Sequence, residues 1–183
     1  MTAWLRWERI SRQLWPLQPI AAAPHGLLRI APKRYRGPRL RLPDGDTLER
    51  GDWIAELHCE NVAIVACVNR RLINRYRACR EDLAALARWL RDSPDGARIK
   101  GVCGVTLLWP AAHRLGFVVA ERSGRLRNHL DRIYMGGLLL IYSSDGPTRA
   151  QLGRTLDRYP RMVWLSRSDL IRLYAPSAAC RNP

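Results

Sequence analysis

The sequence predicts an α+β fold in which helices pack on a sheet. Short extended segments dominate the first third of the chain, and from residue 99 onward strands and helices alternate. Alternation of this kind is typical of a sheet with helices on it. A length of 183 residues suits one core, so we predict a single domain over 1–183. It would comprise a helix and proline-rich connector (1–26), a core (27–175) and a frayed tail (176–183).

The N-terminal helix is predicted at residues 4–15. Trp4, Trp7 and Trp15 fall at helical spacing there, with arginines on the opposite side. Such a helix either docks its tryptophans on the core or lies on an anionic membrane surface. The sequence leaves both alternatives open.

Periodicity and turn residues assign the other elements. The pattern of apolar residues changes from a period of two to steps of three and four after residue 69. Strands are predicted at 27–30, 39–42, 51–61, 99–108, 116–120, 138–142 and 162–165, with a turn at 43–46. Helices are predicted at 69–91, 110–115, 124–134, 148–159 and 168–174, the last capped by Ser168.

The formal net charge of +15 comes almost wholly from arginine, since Lys33 and Lys100 are the only lysines. The planar guanidinium suits carboxylate and phosphate, which favours an anionic partner: nucleic acid, an anionic membrane surface or a phosphorylated substrate. A GC-rich genome's codon usage would produce the same bias. No nucleic-acid-binding motif is visible, so charge alone would permit only sequence-independent binding to nucleic acid.

The cysteines indicate a reducing, cytoplasmic setting. Cys59, Cys67, Cys79, Cys103 and Cys180 are odd in number and form no C-x-x-C pair, which argues against a zinc ribbon or a disulfide framework. No apolar run is long enough to span a membrane. We therefore expect a cytoplasmic protein, with peripheral membrane attachment as the alternative, and neither a metal nor a cofactor.

Residues 51–61 hold the densest group of chemically active side chains. In an extended strand, Asp52, Glu56 and His58 share one side, and apolar residues occupy the other. An imidazole between carboxylates suits a general acid or base. The simpler interpretation is a half-buried strand whose polar side meets water.

A series of short motifs follows in order between residues 35 and 117. The motifs are Tyr35-x-Gly37, Leu42-x-Asp44-Gly45, Gly51-Asp52, Leu57-His58-x-x-Asn61, Lys100-Gly101-x-x-Gly104-x-Thr106 and Arg114-Leu115-Gly116-Phe117. Together they resemble the YkoP-like family of small bacterial proteins, which occur alone or attached to polysaccharide deacetylase domains. The resemblance covers roughly 27–175 and implies a cell-envelope context with carbohydrate or lipid-linked glycan nearby. Its recurrent polar positions match Asp44, Asp52, His58, Asn61 and Thr106, whereas Glu56 is not part of the pattern.

Our leading expectation is a small enzyme that acts on an anionic, phosphate-bearing lipid or glycan. His58 would be the general acid/base, oriented by Asn61 or by the carboxylate of Asp52 or Glu56, with Thr106 facing the ligand. The expected substrate-binding residues are Arg34, Tyr35, Arg36, Arg39, Asp44 and Arg114. The alternative is an arginine-rich binding module without chemistry, which would hold an anionic glycan, lipid or nucleic acid.

Overall fold

A computed structural model of the protein describes residues 17–42, 44–60, 72–120, 129 and 159–175. The strands are β1 (Gln18–Pro19), β2 (Leu28–Arg34), β3 (Leu40–Arg41), β4 (Thr47–Leu48), β5 (Trp53–Cys59), β6 (Ile99–Thr106), β7 (Val118–Ala120) and β8 (Arg161–Ser166). The helices are α1 (Leu72–Asp92), α2 (Pro94–Ala97), α3 (Trp109–Arg114) and α4 (Arg167–Tyr174). The α+β class predicted from the sequence is confirmed.

Six strands form one mixed sheet in the order β1-β2-β5-β6-β8-β7, and β3 and β4 form a separate hairpin. Strands β5 and β6 are parallel. The other neighbours in the sheet pair antiparallel. Helices α1 and α2 lie between β5 and β6 in sequence, which supplies the crossover that parallel strands require.

Strand β5 is buried on both faces near its beginning. Ala55 is fully buried in the main core. Ile54 points to the other face, into a smaller cluster where Leu42 and Leu48 of the hairpin region pack against it. The polar side predicted for residues 51–61 is therefore interrupted at Ile54 and resumes at Glu56.

Helix α1 supplies the main covering of the sheet. Leu83, Leu86 and Leu90 recur at steps of three and four, and none is more than 1% exposed. Asp82, also fully buried, accepts hydrogen bonds from the backbone N–H groups of Leu27 at 2.6 Å and His25 at 3.0 Å. This carboxylate ties the helix to the start of β2.

Several boundaries differ by a few residues from the sequence prediction, and two of the differences have a clear physical reason. Strand β2 was expected to end at residue 30, but it continues through Pro32 to Arg34. Strand β1 flanks β2 only at Arg29 and Ile30, so the proline lies where β2 is an edge, a position that tolerates its missing N–H. Helix α4 is capped by Ser166, whose Oγ accepts from the N–H of Asp169, and not by Ser168 as predicted.

Several predicted elements lie outside the described residues. They are the tryptophan helix at 4–15, the strand at 138–142, the tail at 176–183, and almost all of the helices at 124–134 and 148–159. No helix within the described ranges is both long and apolar enough to cross a membrane.

Candidate functional site

Three charged or titratable side chains meet on the face of the sheet that carries Ile54. Lys33 of β2 contacts the Glu56 carboxylate of β5 through its Nζ. The Nε2 atom of His58 lies 3.7 Å from the same carboxylate oxygen. We call Lys33, Glu56 and His58 the polar sheet cluster. The strand register explains it, because Lys33 and Ile54 are cross-strand partners and Glu56 and His58 follow on the same side.

The carboxylate of Glu56 stays ionised in this cluster. Burial raises its pKa, but the contacts with His58 and Lys33 outweigh burial and hold the pKa at about 2. A separation of 3.7 Å is too long for a good hydrogen bond from His58, so Lys33, in direct contact, is the stronger influence. The Glu56 carboxylate thus has its counter-charge within the fold, in Lys33.

His58 is partly accessible, but not through the nitrogen that faces Glu56. Its side chain is 30% exposed, whereas Nε2 is buried and has no hydrogen-bond partner in the part of the chain that the structure describes. The exposed part of the imidazole is therefore the part of the ring away from Nε2. One nitrogen approaches a carboxylate while the other side of the ring faces outward.

The other predicted catalytic residues do not join His58. Thr106 shares a side of β6 with Val102, which belongs to the helix-covered core, so it faces away from His58. Asp52 lies six residues before His58, about 20 Å along an extended strand. Its carboxylate instead binds Lys100 at 3.0 Å and the N–H of Glu49 at 2.8 Å. Asn61 lies outside the described residues.

Arg34 and Tyr35, both predicted to bind substrate, are held by contacts with neighbouring parts of the fold. The Arg34 guanidinium lies 4.2 Å from the ring centroid of Trp53 and donates to the carbonyl of Gly51. Tyr35 is 9% exposed, donates its hydroxyl to the carbonyl of Pro38 at 2.7 Å and packs edge-on against Trp164. Both side chains hold the hairpin region onto the sheet.

The remaining hairpin residues are more accessible. Arg36 is exposed, and Arg39 lies 3.8 Å from Glu49 with both side chains largely in solvent. We call the concavity of about 380 Å³ lined by Arg39, Arg41, Gly45 and Thr47 the hairpin pocket.

Asp44, beside this pocket, is held by α4. Its carboxylate accepts a hydrogen bond from the hydroxyl of Ser168. Burial raises the pKa of Asp44, but hydrogen bonds from Ser166 and Ser168 and from backbone N–H groups lower it overall. This carboxylate therefore fixes the turn and adds negative charge beside the arginines.

A second concavity lies between α1 and α4, and the sequence analysis missed it. We call it the α1–α4 groove. It encloses about 350 Å³ and is lined by Tyr76, Arg77, Arg80, Glu81, Ala84, Leu173 and Tyr174. The sequence contains one signal for this groove. Tyr76 and Arg80 are four residues apart on a predicted helix, a spacing that places their side chains next to each other.

Arg80 is the central cation of this groove. Its guanidinium carbon lies 5.3 Å from the ring centroid of Tyr174 and 5.9 Å from that of Tyr76. The two tyrosine hydroxyls donate to consecutive backbone carbonyls, those of Leu115 at 2.8 Å and Arg114 at 2.9 Å. The end of α3 therefore fixes both rings, and it brings the backbone of the predicted ligand-binding residue Arg114 to this groove.

Within the described ranges, no group of three or more His, Cys, Asp or Glu side chains is placed to hold a metal ion. Cys103 is 1% exposed, and burial raises the pKa of its thiol to about 12.

Comparison with known proteins identifies the family of this α+β chain. It belongs to the YkoP domain family, whose family model matches residues 1–174. It is also similar to the "Uncharacterized protein YkoP" of Bacillus subtilis (strain 168), with 24% identity over 99 residues. That match covers 51% of this chain and 54% of the relative, so it spans about half the length of each. No solved structure matches the chain.

Proposed function

We propose that this protein is a binding module that holds an anionic ligand through exposed arginines, foremost Arg80 in the α1–α4 groove. The observation that carries the proposal is an excess of positive charge that the protein does not neutralise internally. The net charge is +15, and nearly all of the described carboxylates already have partners within the chain.

The carboxylates divide between cations and hydrogen-bond donors. Those within 4.0 Å of a lysine, an arginine or a histidine are Glu49, Asp52, Glu56, Glu60, Glu81, Asp92, Asp95 and Asp169. Asp44 binds Ser168, and Asp82 binds two backbone N–H groups. Little negative charge therefore remains to balance the other arginines.

Several exposed arginines have no ion pair with a carboxylate of the described residues. They are Arg36, Arg41, Arg50, Arg80 and Arg114. Arginine without an internal counter-ion is suited to carboxylate or phosphate of a ligand. Arg80 is the best placed of them, because two fixed aromatic rings already hold its guanidinium in a concave site.

A calorimetric titration with tripolyphosphate tests this proposal. We expect binding that weakens as salt is raised, because exposed charges are screened. Arg80→Gln should weaken binding by about tenfold, since a hydrogen bond to a charged group contributes about 1.5 kcal/mol or more. Arg98→Gln, which removes a 67% exposed arginine that pairs with Asp95 outside the groove, should change it less than about twofold.

Two outcomes would contradict the proposal. Absence of binding by the wild-type protein at low salt would exclude an anion-binding module. Equal losses for Arg80→Gln and Arg98→Gln would show that charge acts without a defined site.

A histidine-dependent enzyme acting on an anionic lipid or glycan is the second candidate. It is favoured by the contact between Glu56 and a partly accessible His58 at 3.7 Å. Hydrolysis of p-nitrophenyl phosphate, bis-p-nitrophenyl phosphate and p-nitrophenyl acetate by the wild type and His58→Ala would test it. An activity that depends on His58 should fall by about 100-fold, whereas equal rates would exclude His58 as the acid/base.

A further inference from the structure

The α1–α4 groove combines a cationic centre with apolar walls. Ala84 of α1 and Leu173 of α4 line it together with the tyrosine rings, and Leu173 remains 40% exposed. An exposed leucine is ordinary by itself, but here it forms the rim of a concave site that also holds an arginine. The groove therefore offers two kinds of contact to one ligand.

The guanidinium of Arg80 is available to a ligand because the neighbouring charged side chains of the groove already pair with each other or with His25. Glu81 accepts from Arg77 Nε at 2.9 Å and lies 2.5 Å from Nε2 of His25. Arg80 lies against the aromatic rings and has no ion pair with a carboxylate of the described residues. The groove thus holds a guanidinium without a counter-ion beside a carboxylate that has two partners.

The apolar contact follows from where the tyrosine hydroxyls point. Each hydroxyl donates its proton to a carbonyl at the end of α3, so neither can donate a hydrogen bond to an anion in the groove. Burial raises the pKa of Tyr174 to about 12, which keeps its hydroxyl protonated and donating. What remains of these residues for a ligand is ring surface.

From this arrangement, and building on the proposed anion-binding function, we infer that the groove binds a discrete amphiphilic anion. The ligand would carry one phosphate or carboxylate group on a short alkyl or aromatic body. The anionic group would lie against Arg80, and the apolar body would lie along Ala84 and Leu173. A volume of about 350 Å³ is at the lower end for ligand pockets and suits a small molecule or one end of a larger one.

The hairpin pocket serves as an internal contrast. It also carries two arginines, Arg39 and Arg41, but its other lining residues are Gly45 and Thr47. It has no aromatic or leucine wall, so it offers charge without an apolar surface. The amphiphile is therefore assigned to the α1–α4 groove.

Matched ligands test the inference. Calorimetry would compare monomeric n-octyl phosphate, inorganic phosphate and uncharged n-octyl glucoside at the same salt concentration. Each buried methylene group strengthens binding about fourfold, so burial of two or three predicts that octyl phosphate binds about 15- to 60-fold tighter than phosphate. Octyl glucoside should bind at least tenfold more weakly than octyl phosphate, because it leaves Arg80 without an anion.

Variants separate the two contacts. Arg80→Gln should weaken both octyl phosphate and inorganic phosphate, whereas Leu173→Ser should reduce only the advantage of the octyl chain. Leu108→Ser is the matched control, since Leu108 is 52% exposed but does not line the groove. Thermal unfolding of each variant would establish that it is folded.

The outcomes distinguish this inference from the function on which it rests. Equal affinities for octyl phosphate and phosphate would contradict the inference that the ligand is amphiphilic, but not the proposed anion-binding function. Equal affinities for octyl phosphate and octyl glucoside would overturn charge recognition by Arg80 in the groove. If phosphate, tripolyphosphate and octyl phosphate all failed to bind, both proposals would be overturned.

Discussion

The polar sheet cluster and the α1–α4 groove use charge in opposite ways. In the cluster, Lys33 and His58 converge on the single carboxylate of Glu56, which is largely buried. In the groove, Arg80 lies against two aromatic rings and no described carboxylate contacts it. The first region neutralises its charges within the fold, and the second leaves a cation for another molecule.

This difference shows that chemically conspicuous residues need not be the available ones. The histidine between acidic neighbours attracts attention in the sequence, yet its Nε2 is buried. Arginines spread along a helix look like an ordinary solvated face. Only the packing of α4 beside α1 turns one of them into part of a concave site.

The largest expected effect tests whether the buried charge in α1 stabilises the fold while an exposed charge on the following helix, α2, does not. Asp82→Ala would leave the backbone N–H groups of His25 and Leu27 without their acceptor. Loss of a buried acceptor for two donors should lower the free energy of unfolding by about 3 kcal/mol in urea titrations. Asp95→Ala, at an 83% exposed side chain, is the control and should stay within about 0.5 kcal/mol.

The second prediction concerns the pH dependence of the polar sheet cluster. The pKa of Glu56 is about 2 in the folded protein, below its ordinary value of 4.5, so the unfolded chain takes up the proton first as pH falls. The stabilisation is therefore complete above about pH 5 and is lost as pH falls towards 2. After allowance for the partly exposed Lys33, we expect Glu56→Gln to remove about 2 kcal/mol of this pH-dependent stability.

A control variant checks that the effect belongs to the cluster. Glu49→Gln changes a 65% exposed carboxylate that lies 3.8 Å from Arg39. Its stability between pH 2 and 6 should follow that of the wild type. If Glu56→Gln followed the same curve, the cluster would contribute nothing to folding and the contrast with the groove would fail.

The smallest effect concerns the walls of the groove. Tyr174→Phe removes the hydrogen bond to the carbonyl of Leu115 but keeps the ring. Chemical denaturation should show a loss of about 1 kcal/mol, and Tyr76→Phe should cost a similar amount. Unchanged stability in both variants would mean that the end of α3 does not fix the rings.

The sequence predicted the fold better than the site, for physical reasons that particular residues illustrate. Local periodicity identifies α1 through Leu83, Leu86 and Leu90, and it identifies β5 through its alternation. The placement of Thr106 on the opposite face from His58 depends on strand pairing, which local patterns do not encode. The contact of Tyr174 with Arg80 joins residues 94 positions apart, so only the tertiary fold brings them together.

The central claim is that Arg80 is available to an anion while the polar sheet cluster is not. The Nε–Hε signal of Arg80 in ¹⁵N-labelled protein, assigned through its loss in Arg80→Gln, reports on this directly. During a tripolyphosphate titration we predict a saturable shift of the Arg80 signal and an unchanged Lys33 Nζ signal. Saturable shifts of the Lys33 and His58 side-chain signals with an unmoved Arg80 signal would contradict the account.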